Sequence, residues 1–305
     1  MAPILIHEVG PRDGLQVEMQ VVPTEIKLAW LKRLIGSGVD IVQVGSFVHS
    51  DKVPQMADTD ELFRRLSAEP RDTRAVLSGL VLNEKGLERG LTCGVELFCL
   101  GVSASETHSR KNTGMGTDEA TTRIIATALE ARRAGTDVQV SVQSAFGCGF
   151  EGAVPEERVM GIVAAYLAAG LDAISLADTA GHAHPAQVAA YVRHILAMQP
   201  TARVTAHIHN TYGVGMANVY AAMDAGATSI ESSVGGLGGC PFTRVAAGNV
   251  ATEDLVHGLQ RAGHRTDINL DALIGVARDV ATFFARDLPG CVYKIGPISA
   301  GAPAC

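Results

Sequence analysis

The sequence predicts an α/β protein built as a single (β/α)8 TIM barrel with a C-terminal helical extension. Eight short apolar runs alternate with helical patterns along the chain, at a spacing of roughly 25–35 residues. Several runs are apolar without alternation, as in parallel strands that are buried on both faces. No linker or shift in composition divides the 305 residues, so we expect one domain over residues 1–305.

The predicted strands are short and rich in Val, Ile, Leu and Ala. They are Ile4–Val9, Asp40–Val44, Ala75–Leu82, Val95–Leu100, Val138–Val142, Ala173–Leu176, Val204–His209 and Ser229–Ser232. A doubly wound sheet is the alternative, but it is disfavoured by the count of eight and by the lack of a G-x-G-x-x-G after the first strand.

Helical patterns separate the predicted strands. They cover Thr24–Ile35, Asp60–Ser67, Glu84–Gly90, Asp118–Ala134, Pro155–Ala169, His184–Met198, Val214–Ala225 and Thr252–Arg261, and Asp271–Arg286 closes the chain. Pro155 precedes two glutamates, which favours a helix start. Gly36, Gly170 and Gly226 follow helical patterns, as C-terminal capping glycines do.

Composition excludes several classes of protein. A chain with 47% hydrophobic residues can bury a sizeable core and is not disordered. The net charge of −7 and the lack of a basic cluster argue against nucleic acid as the main partner. No apolar run reaches the ~18–20 residues that a membrane span needs, and we expect no secretory signal at the N-terminus. The six cysteines lack C-x-x-C pairing, so we expect a reducing, cytoplasmic setting.

In such a barrel, catalytic groups are expected directly after strands, at the carboxyl-terminal mouth. Arg12 and Asp13 follow the first strand, where they could supply a fixed cation and a metal oxygen, or form a loop salt bridge. His207 and His209 lie two residues apart at the end of the seventh strand and point to the same side. Two such imidazoles are typical of a metal site, and the alternative is a pair of core histidines.

A glycine-rich segment follows the eighth strand, with four glycines between Gly235 and Gly239. It predicts a mobile loop, and the alternatives are a plain connection or a phosphate cradle. Cys240 in this loop fits a gated proton donor or nucleophile better than a structural thiol. Asn249 farther on could cap the next helix or supply a metal oxygen.

Asp13, His207, His209 and Asn249 together form a mixed nitrogen and oxygen set. Such a set suits Mg²⁺, Mn²⁺ or Co²⁺ better than a closed tetrahedral Zn²⁺ site. A metal beside an arginine and a gated thiol indicates cleavage of a carbon–carbon bond next to a hydroxyl. In that chemistry Arg12 would stabilise the enolate that forms.

Polar side chains also follow three other strands. They are Asp178 and Thr179 after the sixth, Gln143 and Ser144 after the fifth, and His108, Arg110, Lys111 and Asn112 after the fourth. The first pair could bind substrate or transfer protons. The last group could meet phosphates or a carboxylate, or form a solvated loop.

These residues resemble the 3-hydroxy-3-methylglutaryl-CoA (HMG-CoA) lyase family, within the metal-dependent barrel lyases and Claisen-type synthases. The similar segments run from the first strand to beyond the eighth, and the last is highly specific. They are Glu8–Gln16, Gly45–Met56, Ser141–Gly152, Ser175–Gly181, His207–Gly213 and Ser232–Leu255.

The resemblance implies cleavage of HMG-CoA to acetyl-CoA and acetoacetate by a homodimer with Mg²⁺ or Mn²⁺. It implies metal ligands at Asp13, His207, His209 and Asn249, and catalytic roles for Arg12, Asp178, His207 and Cys240. Glu253 matches a family position close to the asparagine ligand. We expect contacts with the acyl-CoA substrate from Gln16, Gln43, Ser46, Lys111, Ser144 and Thr179.

Three positions depart from the family pattern. Gln43 stands where the family has a glutamate near the metal, Asn210 where it usually has an aspartate, and Ala177 where it has a glycine. Gln43 could indicate a related 3-hydroxyacyl-CoA such as citramalyl-CoA. A Claisen synthase is disfavoured by the loop with Cys240, and a non-catalytic barrel that binds CoA esters is the alternative outside enzymes.

Overall fold

A computed structural model describes residues 3–70, 75–239 and 248–298. Eight parallel strands close into a barrel in chain order, and the last strand pairs with the first. The strands are β1 (Leu5–Glu8), β2 (Ile41–Ser46), β3 (Val76–Leu80), β4 (Leu97–Ser103), β5 (Asp137–Gln143), β6 (Ala173–Asp178), β7 (Arg203–Ile208) and β8 (Ser229–Ser232). The predicted (β/α)8 fold is confirmed.

Helices connect the strands and surround the barrel. They are α1 (Thr24–Gly36), α2 (Thr59–Ala68), α3 (Glu84–Cys93), α4 (Glu106–Thr113), α5 (Thr117–Arg133), α6 (Glu156–Ala168), α7 (Pro185–Met198), α8 (Gly215–Ala225), α9 (Thr252–Arg261), α10 (Leu270–Phe283) and α11 (Val292–Ile295). The last two form the C-terminal extension. Within the described part of the chain, no helix combines the length and apolar character that crossing a membrane requires.

Helix α4 stands where the sequence left a solvated loop open as one alternative after β4. The Ser105 side chain accepts a hydrogen bond from the backbone N–H of His108 at 3.1 Å, which caps the first turn. Gly114 ends the helix in the left-handed region at φ 79°. The segment between these caps is polar, so it lacks the apolar periodicity that marks the other helices.

Alternation along the strands separates two environments. One set of side chains faces the helices and forms the apolar core, in which Ile6, Val42 and Ile174 have no exposed surface. Burial of each such side chain stabilises the fold by about 1.5–3 kcal/mol. The opposite set faces the barrel interior and includes the buried polar residues Gln139 and Glu231. The polar side chains therefore lie inside the barrel, and the apolar side chains pack between the strands and the helices.

Candidate active site

A cavity of about 370 Å³ opens at the carboxyl ends of the strands, where the sequence predicted catalytic groups. The side chains in its described lining that carry polar or sulfur atoms are Arg12, Asp13, Gln16, Gln43, Cys99, His108, Lys111, Asn112, Gln139, Ser141, Gln143, Ser175, Thr179, His207, His209 and Glu231. Most of them are polar, so the cavity can hold a ligand that is rich in oxygen.

Three potential metal ligands meet in this mouth. Asp13 lies in a single π-helical turn over Gly10–Gly14, His207 lies in β7, and His209 directly follows that strand. His207 Nε2 lies 3.1 Å from His209 Nε2, and Asp13 Oδ2 lies 3.8 Å from each of these nitrogens. All three side chains are buried. The arrangement brings a carboxylate oxygen and two imidazole nitrogens within reach of one cation.

Asn249 completes this group from the segment before α9. Its Nδ2 donates to Asp13 Oδ2 at 2.8 Å and to the Leu237 carbonyl at 3.1 Å. Its Oδ1 is buried and has no hydrogen-bond partner among the described residues. A buried oxygen without a donor costs free energy unless another group binds it. The free Oδ1 makes Asn249 a candidate oxygen ligand for a divalent cation, while its Nδ2 faces Asp13 Oδ2.

The electrostatics of Asp13 and His209 also suit metal binding, whereas in His207 burial is outweighed by the hydrogen bond to Glu231 and the charge of Asp13, which raise its pKa. Burial raises the pKa of Asp13, but the charges of Arg12 and the two histidines outweigh it and lower that pKa to about 2. Burial, followed by the neighbouring His207, lowers the pKa of His209 to about 4. At neutral pH, Asp13 is therefore an ionised carboxylate and His209 a neutral imidazole. These are the protonation states in which both groups can bind a cation.

Arg12 is held next to the metal-ligand cluster by two side chains. Its Nη1 donates to Asp13 Oδ1 at 2.6 Å, and its Nε donates to Gln43 Oε1 from the opposite side. The side chain is only 9% exposed, yet it lines the cavity. The guanidinium is therefore a fixed positive charge that faces the ligand space, where it can stabilise an oxyanion.

Asp178 lies at the end of β6 and is fully buried. Its Oδ1 accepts a hydrogen bond from the backbone N–H of Ala183 at 3.2 Å, and its Oδ2 has no hydrogen-bond partner among the described residues. Burial raises the pKa of this carboxyl to about 7. Asp178 can therefore gain or lose a proton near neutral pH, as an acid or base must. It is not among the described lining residues, which include its neighbours Ala177 and Thr179.

Two predicted substrate contacts lie next to these groups. Gln16 Nε2 donates to Asp13 Oδ1 at 3.1 Å and lines the cavity. Thr179 also lines the cavity, and its hydroxyl accepts a hydrogen bond from the backbone N–H of Ser144 at 2.9 Å. Ser144 is itself buried behind this contact, in the left-handed region at φ 54°. It therefore supports Thr179 and is not among the described lining residues.

The other predicted residues occupy different places. Lys111 lies on α4 at the cavity rim, with its Nζ 3.9 Å from the centre of the Phe150 ring. Ser46 is buried at the end of β2 and is not among the described lining residues. Cys240 lies outside the described residues.

Sequence reasoning missed a polar layer inside the barrel, beneath the metal-ligand cluster. Its members His7, Gln139 and Glu231 belong to β1, β5 and β8 and are buried. The available signal was the presence of polar residues within otherwise apolar strands. Strand alternation could have placed them inward, but their contacts depend on the register between strands.

Sequence and structure comparisons agree with this architecture. Residues 3–280 match a protein-family model described as HMGL-like. The chain is 39% identical to the (R)-citramalyl-CoA lyase of Chloroflexus aurantiacus, over 98% of this chain and 96% of that protein. It is 36% identical to the hydroxymethylglutaryl-CoA lyase YngG of Bacillus subtilis, over 94% of this chain and 95% of that protein.

Comparison with solved structures also finds similarity to HMG-CoA lyases. An HMG-CoA lyase from Acinetobacter baumannii, in complex with coenzyme A and 3-methylmalate, superposes with a TM-score of 0.91 at 36% identity. That match covers 99% of this chain and 98% of the other. The HMG-CoA lyase of Bacillus subtilis gives a TM-score of 0.92 at 34% identity, over 97% and 98% of the two chains. The chain therefore belongs to the HMGL-like family and is a carbon–carbon lyase.

Proposed function

We propose that this lyase depends on a divalent cation and cleaves HMG-CoA to acetyl-CoA and acetoacetate. The observation that carries the proposal is the buried cluster of Asp13, His207 and His209, with the unpaired Oδ1 of Asn249 beside it. Its oxygen and nitrogen donors suit Mg²⁺ or Mn²⁺. The relatives named HMG-CoA lyase add support for this substrate.

The proposed reaction assigns one task to each group. A cation held by the cluster would polarise the substrate hydroxyl and a neighbouring carbonyl or carboxylate oxygen. Asp178 accepts the hydroxyl proton, and the carbon–carbon bond then breaks so that its electron pair stays on the acetyl-CoA fragment as an enolate. Arg12 stabilises that negative charge from its fixed position. Cys240 remains the predicted proton donor to the enolate carbon.

Positive charges inside the cavity and at its rim favour an acyl-CoA ester as the substrate class. The chain has a net charge of −7, so an anionic ester must be met by local positive charges. Arg12 inside the cavity and Lys111 at its rim are suitably placed. The Acinetobacter baumannii relative, solved with coenzyme A, supports the same class.

Citramalyl-CoA is the second candidate, and three observations favour it. The Chloroflexus aurantiacus relative is a citramalyl-CoA lyase, and the neutral amide of Gln43 binds Arg12 where the family motif has a glutamate. Citramalyl-CoA carries its carboxylate directly on the carbinol carbon, one methylene closer than in HMG-CoA. The 3-methylmalate in the Acinetobacter baumannii complex is an isomer of citramalate.

A competition assay distinguishes the two substrates. Purified protein with Mn²⁺ receives both CoA esters at equal concentration, and acetoacetate and pyruvate are measured over time. The proposal expects acetoacetate as the main product, because cleavage of HMG-CoA yields it. Pyruvate as the main product would show that citramalyl-CoA is the preferred substrate. If neither acetoacetate nor pyruvate formed, both proposed substrates would be contradicted.

The variant Gln43→Glu tests whether this position sets the preference. A carboxylate here would pair with Arg12 and repel a substrate carboxylate that lies close to the cation. We expect the ratio of kcat/KM for HMG-CoA over citramalyl-CoA to rise by about tenfold, which corresponds to about 1.4 kcal/mol.

The matched control is Gln143→Glu, which adds the same charge at another glutamine of the cavity lining. It should change the ratio much less, because no described hydrogen bond joins Gln143 to Arg12. Equal effects of the two variants would show that Gln43 has no special part in substrate choice.

A further inference from the structure

Glu231 occupies the inside of the barrel between two strands that carry histidines. The strand register pairs Glu231 of β8 with His207 of β7 on one side and with His7 of β1 on the other. Residues that are paired in this way direct their side chains to the same face of the sheet. The fold therefore brings the carboxylate against both imidazoles, just beneath the metal-ligand cluster.

The contacts of this carboxylate are short and buried. Glu231 Oε2 lies 2.7 Å from His207 Nδ1, and Glu231 Oε1 accepts a hydrogen bond from Gln139 Nε2 at 2.5 Å. His7 Nδ1 lies 3.4 Å from Oε1. Glu231 is only 6% exposed. Both carboxylate oxygens are thus engaged by groups that fix the side chain in place.

This geometry determines which nitrogen of His207 can bind a cation. An ionised carboxylate can only accept hydrogen bonds, so the 2.7 Å contact requires a proton on His207 Nδ1. In the neutral imidazole, the lone pair is then on Nε2. That atom lies 3.1 Å from His209 Nε2 and 3.8 Å from Asp13 Oδ2. The contact with Glu231 therefore aims the lone pair of His207 at the proposed metal position.

We propose that Glu231 is a positioning residue: it holds His207 in the Nδ1–H tautomer and orients Nε2 toward the cation. Gln139 supports it, because Gln139 Oε1 accepts a hydrogen bond from Thr205 at 3.2 Å while its Nε2 donates to Glu231. This role rests on the proposed metal-dependent function. Carboxylates that hold ligating histidines in this way increase metal affinity by about 10–100-fold.

The first test measures metal binding without substrate. Apo protein is titrated with Co²⁺, and the dissociation constant is read from the visible absorption of the bound ion. Glu231→Gln is nearly isosteric, but its amide group can face Nδ1 as a donor and favour the Nε2–H tautomer. We expect the Co²⁺ dissociation constant to rise by about 10–100-fold. An unchanged constant would overturn the positioning role.

The matched control is Ser229→Ala, two residues earlier on the same strand. Ser229 is buried, and its hydroxyl has no hydrogen-bond partner among the described residues. This variant should keep the wild-type Co²⁺ affinity. Equal losses in both variants would mean that β8 is merely sensitive to substitution, and would contradict the proposal.

The second test is direct and needs no metal. Nitrogen NMR of ¹⁵N-histidine-labelled apo protein distinguishes a protonated Nδ1 from a protonated Nε2. We expect the neutral form of wild-type His207 to be the Nδ1–H tautomer, and its Nε2–H form to gain population in Glu231→Gln. An Nε2–H tautomer in the wild type would overturn the inference even if the variant fails to fold. Failure of the wild type to bind any divalent cation would instead contradict the proposed function.

Discussion

At the level of single residues, Asp178 has the features of a proton acceptor that works near neutral pH. Its carboxyl is buried, one oxygen is held by the backbone N–H of Ala183, and the other oxygen lacks a described partner. Burial raises its pKa to about 7. A base with this pKa is substantially ionised at neutral pH and still binds a proton well enough to remove it from a hydroxyl.

The pH dependence of the reaction follows from this pKa. Only ionised Asp178 can accept the hydroxyl proton, so kcat/KM should rise with pH through about 7 and then level off. Asp178→Asn should lower kcat by about 100-fold or more and abolish this rise. The measurement is a kcat/KM profile from pH 5.5 to 8.5 at saturating Mn²⁺.

Asp172→Asn is the control for this profile. Asp172 lies just before β6, where it pairs with Arg203 on the protein surface at 3.3 Å. Its substitution should leave the profile as in the wild type. If Asp178→Asn retained both the rate and the rise near pH 7, another group would be the proton acceptor.

At the level of elements, two buried glutamates connect the loops that form the site. Glu8 at the end of β1 accepts hydrogen bonds from the backbone N–H groups of Gly10 at 2.7 Å and Val234 at 2.9 Å. Glu253 in α9 accepts one from Gly235 at 2.9 Å. The turn with Arg12 and Asp13, the start of the glycine-rich segment and α9 are therefore tied together.

Three glycines of the glycine-rich segment allow backbone conformations with positive φ. Gly235, Gly236 and Gly238 adopt φ values of 68°, 71° and 109°, which other residues rarely adopt. The sequence indicated a mobile loop from the same glycines. In the described part of the loop, Gly235 and Gly236 are buried, and the backbone N–H of Gly235 donates a hydrogen bond to Glu253.

Glu253 should make stability depend on pH. Burial raises its pKa to about 8 in the folded protein, against 4.5 for an unperturbed glutamate. Between these values the folded state holds a proton that the unfolded state has released. The free energy of unfolding should therefore fall as pH rises from about 4.5 to 8, by up to about 1.4 kcal/mol per pH unit.

Glu253→Gln tests this dependence, because the amide oxygen can still accept from Gly235 but the side chain no longer titrates. Urea denaturation at pH 5, 6, 7 and 8 should show a shallower decline in the variant, which gains stability relative to wild type as pH rises. The exposed Glu130→Gln in α5 should follow the wild-type slope. If Glu253→Gln declined as steeply as wild type, the buried carboxyl would not be the group that titrates.

Local patterns predicted most element positions closely. The helix expected at Pro155–Ala169 is α6 at Glu156–Ala168, because a proline and two glutamates mark its start. Helix α4 was missed because its residues are polar, and only its caps signalled it. His207 and His209 could be paired from their spacing on one strand. Glu231 could not be linked to them, because that contact depends on how three strands align.

At the level of the whole molecule, the outer and inner faces of the barrel differ in polarity. Side chains between sheet and helices are apolar and tightly buried, whereas those inside the barrel are polar and hydrogen-bonded. Buried polar groups are tolerated because they satisfy one another. Among the described residues, the buried atoms without a hydrogen-bond partner include Asn249 Oδ1 and Asp178 Oδ2 of the proposed site, and also Ser229 Oγ and Ser233 Oγ elsewhere in the barrel. The fold thus combines an apolar outer layer with a polar interior in which the proposed site lies.

The proposed function requires that Asp13, His207 and His209 hold a divalent cation that the lyase reaction needs. The most direct measurement is acetyl-CoA release from HMG-CoA and from citramalyl-CoA by chelator-treated protein, before and after addition of Mn²⁺ or Mg²⁺. We predict that activity is lost on chelation, returns with the metal, and falls by about 100-fold or more in Asp13→Asn at any metal concentration. Full activity in metal-free wild type, or cleavage by Asp13→Asn at the wild-type rate, would contradict the claim.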